Sequence, residues 1–297
     1  MRCMERVPFF MPNERSTTGC FCIYHPPKLK NNEHMLGMVL YVHPFAEEMN
    51  KSRHMAARQA IDLANSGFAV LQIDLSGCGD SAGDFSEATW KAWIQDIRDA
   101  CCWMELHIEP DLNNREKPPL WLWGLRAGCL LLAEAAQNIN KTYSFIFWQP
   151  SLAGDKELTQ LIRLQRVSNM LNTSSEDQNS KLETHGSNDK TIDILGYSVI
   201  PELAQGFAQA KLKPPSSNGS VQHVVWIEMT ASEPTELTLA SMQTLRHWRD
   251  MGANTVSHLL KGPAFWCSNE LINVPELISL TTRTVTSLSY RKFELMN

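Results

Sequence analysis

Arg126 stands where the pattern around it calls for a catalytic nucleophile. The stretch Pro119-Leu120-Trp121-Leu122-Trp123-Gly124-Leu125-Arg126-Ala127-Gly128 reads as an apolar strand entering a turn of the G-x-S-x-G kind, and residues 129–137 continue as a helical run. Glycines on both sides let such a strand–turn–helix junction push one side chain out at the end of a sheet. A guanidinium there stays protonated and has no lone pair with which to attack a carbonyl. The turn of an acyl-transfer enzyme is present, and its usual chemistry is withheld.

Two further loops at strand ends carry groups that could act beside Arg126. The first is His43-Pro44-Phe45-Ala46-Glu47-Glu48-Met49-Asn50-Lys51-Ser52-Arg53. In it the Phe45 N–H, paired with the Ala127 N–H after the elbow, fits an oxyanion hole. Each such donor is worth about 3–4 kcal/mol when a tetrahedral oxyanion forms. Glu47 and Glu48 are candidate acid–base residues; read structurally, they complement a helix N-terminus. The second loop is Asp74-Leu75-Ser76-Gly77-Cys78-Gly79-Asp80-Ser81-Ala82-Gly83, where Asp74 and Asp80 are expected to brace the turns. Ser81 has no base placed for it.

A triad histidine should follow the last strand, yet residues 260–267 read Leu-Lys-Gly-Pro-Ala-Phe-Trp-Cys. His258 falls inside that strand and reads as a packed or edge residue. The acid position is open to Glu228 or Glu233, with no histidine to orient. Loss of triad members leaves about 10³–10⁴ over water from the oxyanion hole and binding. That is too little for an ordinary esterase. His43, Glu47, Glu48 and Asp74 could converge, but no spacing among them demands a metal, so neither a metal nor another cofactor is expected.

Arg126 itself has two physical readings. A fixed cation among backbone donors, with His43 nearby, suits a carboxylate or phosphate of a ligand. Alternatively it pairs internally with Glu47 or Glu48 and closes the site, in which case desolvation makes the pair costly.

The elements that must hold these groups alternate short β-rich runs with helical patterns, the mark of a mostly parallel sheet covered on both faces. Residues 6–11 and 20–25 read as an opening hairpin, and 38–43 as the first buried strand. A helix follows at 53–65, a strand at 68–74, a helix at 86–106, then the strand 120–123 into the elbow and a strand at 143–148. From 149 to 220 the rhythm breaks. Helical pieces at 156–171 and 201–211 surround the polar tract 172–190, which has too few apolar residues to stay ordered alone. The expected layout is a core of 1–148 and 221–297 with a cap at 149–220 containing a mobile loop; residues 213–219 lead back. A strand at 223–228, a helix at 234–251, a strand at 255–260 and a helix at 269–289 complete the core.

A formal charge of −5 and scattered basic residues argue against nucleic acid as a partner. The eight cysteines show no paired C-x-x-C spacing and suit packing in a reducing compartment. The first residues lack the apolar run of a signal peptide, and no eighteen apolar residues run together. A cytoplasmic protein without a membrane span is expected. Trp121, Trp123, Trp148 and Trp266 beside strand ends read as core indoles.

The segments HPFAEEMNKSR (43–53), DLSGCGDSAGDF (74–85), WGLRAG (123–128), FWQPSLAG (147–154) and GPAFW (262–266) resemble the exosortase A system-associated hydrolase 2 family. The resemblance runs over nearly the whole chain, and the first and third segments are its most specific marks. It implies an α/β-hydrolase fold and a place among bacterial exopolysaccharide and protein-sorting gene clusters, with an arginine at the elbow as a family trait. The activity it implies is hydrolysis of an ester or acyl group on a glycan or lipid-linked precursor by a non-standard site. The other reading is a non-catalytic relative that binds an anionic ligand, or a protein partner of the exopolysaccharide system, through the Arg126 cleft. Fold analogy alone does not establish a reaction.

Overall fold

The computed structural model describes residues 6–13, 16–30, 34–108, 117–172, 191–194, 196–216, 220–233 and 236–294. Ten strands and seven α-helices occur among them. They are β1 (Val7–Asn13), β2 (Ser16–His25), β3 (Gly37–Val42), α1 (Glu47–Asn65), β4 (Phe68–Ile73), α2 (Trp90–His107), β5 (Leu120–Leu125), α3 (Gly128–Ala135) and β6 (Tyr143–Trp148). After β6 come α4 (Gly154–Asn172), β7 (Ile192–Ile194), β8 (Tyr197–Val199), α5 (Pro201–Gln209), β9 (Val221–Thr230), α6 (Leu239–Asp250), β10 (Asn254–Lys261) and α7 (Pro275–Glu294).

Eight strands form one sheet in the order β1-β2-β4-β3-β5-β6-β9-β10. The β1–β2 and β2–β4 pairings are antiparallel; every pairing from β4 to β10 is parallel. Because side chains alternate across a strand, each central strand supplies both faces. Met38, Leu40 and Val42 of β3 join Leu120 and Leu122 of β5 in a core shared with α2, α3 and α6. Val39, Tyr41, Trp121 and Trp123 pack on the opposite face with α1 and α7. All four tryptophans beside the strand ends are buried, and the Trp148 indole donates to Thr281 Oγ1 at 3.0 Å.

Several element boundaries differ from what periodicity indicates. Helix α1 starts at Glu47, six residues before the expected 53, with both glutamates in its first turn where they complement the helix dipole. Helix α2 starts later than expected, at Trp90, because Thr89 caps it by accepting the Ala92 N–H; a 3-10 turn with an Asp84–Glu87 capping box precedes it. The small hairpin β7–β8 has strands of three residues each, too short to leave an alternating pattern in the sequence. The polar tract at 173–190 lies outside the described residues.

The segment after β6 packs back on the core as a cap. Phe207 of α5 stacks on Phe45 (centroids 4.8 Å) and on Trp90 (5.4 Å), and Tyr197 of β8 meets Phe85 at 4.8 Å. Gly206 lets α5 approach α2 closely: a Cβ there would lie 2.3 Å from the Trp90 Cβ.

Candidate functional site

The site is built where β3, β5 and β6, neighbours in the sheet, end side by side. Each end carries a non-glycine residue with left-handed φ: Ala46 (50°), Arg126 (53°) and Gln149 (41°). Such conformations cost about 1–3 kcal/mol each and persist where the surroundings impose them. Those surroundings are visible at the elbow. The Arg126 N–H donates to Trp148 O at 3.0 Å, and its carbonyl accepts from Cys129 N (3.1 Å) and Ser151 N (3.3 Å). A Cβ on Gly128 would sit 2.5 Å from Val42 O, and one on Gly124 would sit 2.8 Å from Cys129 N. The glycine frame of a nucleophile turn is therefore required by contact, whatever residue it presents.

What it presents is an ion-pair node. Arg126 Nε donates to Glu48 Oε1 at 3.3 Å and Nη2 to Glu157 Oε1 at 2.6 Å. Glu157 lies in the first turn of α4 in the cap, and its Oε2 accepts the Ser151 hydroxyl at 2.5 Å. The three side chains (Arg126, Glu48 and Glu157) are 16%, 12% and 7% exposed. The guanidinium carbon stands 5.9 Å from the centre of the Trp266 ring. Burial disfavours the charge on Arg126, yet Glu48 and Glu157 leave its pKa above the ordinary value. Burial pushes Glu48 up to about 7, opposed by Arg126 and reinforced by Glu157. Its Oε2 is buried without a hydrogen-bond partner among the described residues.

The other sequence candidates divide into neighbours and outsiders. Glu47, one residue before Glu48, accepts from Tyr197 Oη and Asn50 Nδ2, each at 3.2 Å, and so ties α1 to the cap hairpin. His43 is buried and uses both ring nitrogens on the backbone: Nδ1–H donates to Pro44 O at 2.8 Å, and Nε2 accepts the Leu75 N–H at 3.2 Å. Burial also holds its pKa below the usual value, and with both nitrogens engaged it braces the two loops. Phe45 is buried against the cap, Ala127 immediately precedes α3 as its N-cap, and neither N–H meets an acceptor among the described residues. Both donors are unengaged among the described residues but belong to buried residues.

Asp74 Oδ2 accepts from Arg53 Nη2 (2.8 Å) and from the Asp80 N–H (3.1 Å). Asp80 thus braces the loop through its backbone, with its side chain exposed. A cavity of about 130 Å³ opens on this side, lined by Tyr41, His43, Met49, Arg53 and Asp74 among others. Glu233 stands apart. It is exposed in the loop after β9 and paired with Lys261 on the edge strand β10. Glu228 is buried and accepts the Trp226 indole N–H at 2.8 Å. His258 meets Thr284 at 3.2 Å.

Two participants have no local signal in the sequence. Glu157 is one acid on an amphipathic helix, and only the close return of α4 onto the elbow makes it a partner of Arg126. Cys267 comes after β10, in the loop that should carry the histidine. Lys51 Nζ donates to its carbonyl at 3.3 Å, and burial followed by Glu48 raises its thiol pKa. All seven described cysteines are free thiols, and no group of three metal-binding side chains occurs among the described residues. No described helix is long and apolar enough to cross a membrane.

The positive charge that the sequence offers to an anionic ligand is thus already met by two carboxylates. The elbow carries no serine and the segment after β10 no histidine, so two members of the usual serine-hydrolase triad have no matching residue at those places.

Residues 21–115 match the family described as X-Pro dipeptidyl-peptidase (S15 family). That match stops before the elbow and so assigns no reacting residue. No curated protein matches the chain. Est1E from Butyrivibrio proteoclasticus, solved with ferulic acid bound, is 16% identical with a TM-score of 0.55, over 93% of this chain and 96% of its own. An α/β serine hydrolase without lid from Xanthomonas campestris is 13% identical with a TM-score of 0.52, over 98% and 95%. An α/β serine hydrolase homologue from Coxiella burnetii is 14% identical with a TM-score of 0.50, over 96% and 99%. Identities this low speak for architecture alone, and the parallel sheet, the elbow and these likenesses agree on it: the chain has the α/β-hydrolase fold.

Proposed function

We propose that this protein is a non-hydrolytic member of its fold, one that binds a ligand or partner between the elbow and the cap. The observation that carries the reading is the Arg126 node. The nucleophile position holds a cation tied to Glu48 of the core and Glu157 of the cap. A buried pair of this kind is a poor stabiliser compared with apolar packing, so its presence argues for a positioned element. The family resemblance supports a role in an exopolysaccharide or protein-sorting system. The ligand would then be a glycan-related or lipid-linked precursor, or a protein of that system. Because Arg126 is neutralised, recognition rests on the Phe45 and Ala127 N–H donors and the cap aromatics rather than on attraction of an anion.

A second reading has one observation in its favour. Glu48 has an unpartnered oxygen and a pKa near 7, which suits a general base that activates water for attack on an ester. One experiment separates the two: intact-mass analysis after a fluorophosphonate probe, run beside turnover of short-chain acyl esters. The binding reading expects neither adduct nor turnover above background. A stoichiometric adduct overturns it in favour of a hidden nucleophile. Turnover without adduct, abolished in Glu48→Gln, overturns it in favour of the water-activating carboxyl.

A further inference from the structure

Two carboxylates share one guanidinium at the elbow, and one of their four oxygens is stranded. Glu157 has both oxygens engaged, by Arg126 and by Ser151, whereas Glu48 is held by Oε1 only and its Oε2 is buried without a partner. The groups that face Glu48 come from every element around it: Arg126 from the elbow, Glu157 from α4, Lys51 from its own helix, and the Cys267 thiol from the loop after β10. The two residues at the heart of the node, Arg126 and Glu157, can satisfy each other. An ionised Glu48 then adds a negative charge with one unsolvated oxygen, while a protonated Glu48 leaves the node neutral. An uncompensated buried charge is among the costliest things a fold can hold.

We propose that the Arg126 node is a proton-operated latch between core and cap, in which the closed arrangement holds a proton on Glu48 and the cap loosens when that proton leaves. Closure places Glu48 on α1 and Glu157 on α4 on either side of one side chain, so the node is where the two parts meet electrostatically. The Glu47–Tyr197 contact beside it joins α1 to the same cap. Phe45 and Ala127 are buried and Phe207 of α5 stacks on Phe45, so loosening of the cap would uncover their N–H groups. The latch rests on the binding reading above and adds its regulation.

The direction follows from linkage. A carboxyl that binds its proton more tightly when closed than when open favours closure at low pH. The pKa of Glu48 in the closed state, about 7 against an ordinary 4.5, places the change between these values. Opening should therefore grow by up to ~10-fold per pH unit across that interval and level off above it.

The test is hydrogen exchange of the full chain between pH 5 and 8, with exchange times scaled for the intrinsic base catalysis of amide exchange. Peptides covering α5 and the first turns of α4 report the cap, and β5 serves as the control. Protection of the cap should fall up to ~100-fold from pH 5 to 7 and then plateau, with β5 unchanged. In Glu48→Gln the cap should be equally protected throughout. In Glu157→Gln, which removes the neighbouring negative charge, the plateau should be reached at lower pH. A flat wild-type profile overturns the latch, as does a wild-type slope retained in Glu48→Gln. Should Glu48→Gln fail to fold, an unmoved plateau in Glu157→Gln overturns it instead. Catalytic turnover has no bearing on this readout, so the latch and the binding reading can fail independently.

Discussion

Two arginine–carboxylate contacts stand at nearby strand ends of this molecule, and they are built on different principles. At the end of β4, Arg53 pairs with Asp74; the arginine side chain is 41% exposed and the aspartate also accepts the Asp80 N–H. Water solvates that cation, and the carboxylate keeps a backbone donor if the arginine is lost. At the end of β5, Arg126 is 16% exposed, between two acids that are still less exposed. The acids themselves differ little, Asp74 and Glu48 each being 12% exposed; the arginines differ, at 41% and 16%. Geometry alone makes the two contacts look alike, at 2.8 Å and 2.6 Å for their shorter bonds. Burial of the arginine separates them: the first braces a loop, and the second is a cation whose loss strands the acids around it.

The largest test of that difference is Arg126→Leu. It strands Glu48 and Glu157, and breaking a buried network in this way costs about 3–5 kcal/mol. For a chain of this size the thermal midpoint should drop by about 5–8 °C. Replacing Glu48 and Glu157 by glutamine in the same background should return most of the loss, since the three side chains act as a unit. Calorimetry or circular-dichroism melting decides. A midpoint unmoved by Arg126→Leu would mean that the node is solvated after all. Next in size is Gly128→Ala, whose added Cβ meets the carbonyls of Val42 and His43 at 2.5 and 2.7 Å. Overpacking of this kind costs about 1–3 kcal/mol, and here it would show that the elbow frame is enforced by packing independently of the ion pair.

The same contrast shows what a sequence can and cannot disclose. The strand–turn–helix at the elbow is legible because its glycines answer to local contacts, and the alternation of strands with helices points to the layered sheet. Arg126 paired with Glu48 is one of two readings open to the sequence, because both residues sit at expected strand ends. Glu157 is not legible. Nothing in the run Gly154-Asp155-Lys156-Glu157 marks one acid over another until the cap returns to the elbow and Ser151 fixes the far side of the carboxylate. His43 misleads for the opposite reason. Its type and position suggest chemistry, but only the fold reveals that Pro44 O and Leu75 N already occupy both nitrogens. The start of α1 at Glu47 agrees with the structural one of the two readings of Glu47 and Glu48, as acids that complement a helix N-terminus.

A pH series sharpens the comparison further. The pKa of Glu48 is raised on folding, from about 4.5 to about 7, so the folded state binds its proton more tightly than the unfolded chain does. The stability this gives is complete below 4.5 and is lost as pH rises through 7. Urea titrations should show a decline of up to ~1.4 kcal/mol per pH unit attributable to this group. Glu48→Gln should remove that component and leave the titration of other groups in place. Equal slopes in the two proteins across this interval would show that Glu48 ionises normally, and the asymmetry between its two oxygens would then have no energetic consequence.

The smallest expected effect is the one that makes the others interpretable. Arg53→Leu removes an ion pair of the same chemical type and similar length, yet it should cost no more than about 1 kcal/mol. Asp74 keeps the Asp80 N–H, and its carboxylate borders the 130 Å³ cavity, through which water can replace the guanidinium. The measurement is the difference in urea midpoint, with the slope of the transition checked for constancy. A loss matching that of Arg126→Leu would mean that the Asp74 loop depends on its cation as heavily as the elbow does. Exposure of the arginine would then have no bearing on the cost, and the argument from burial at Arg126 would fall with it.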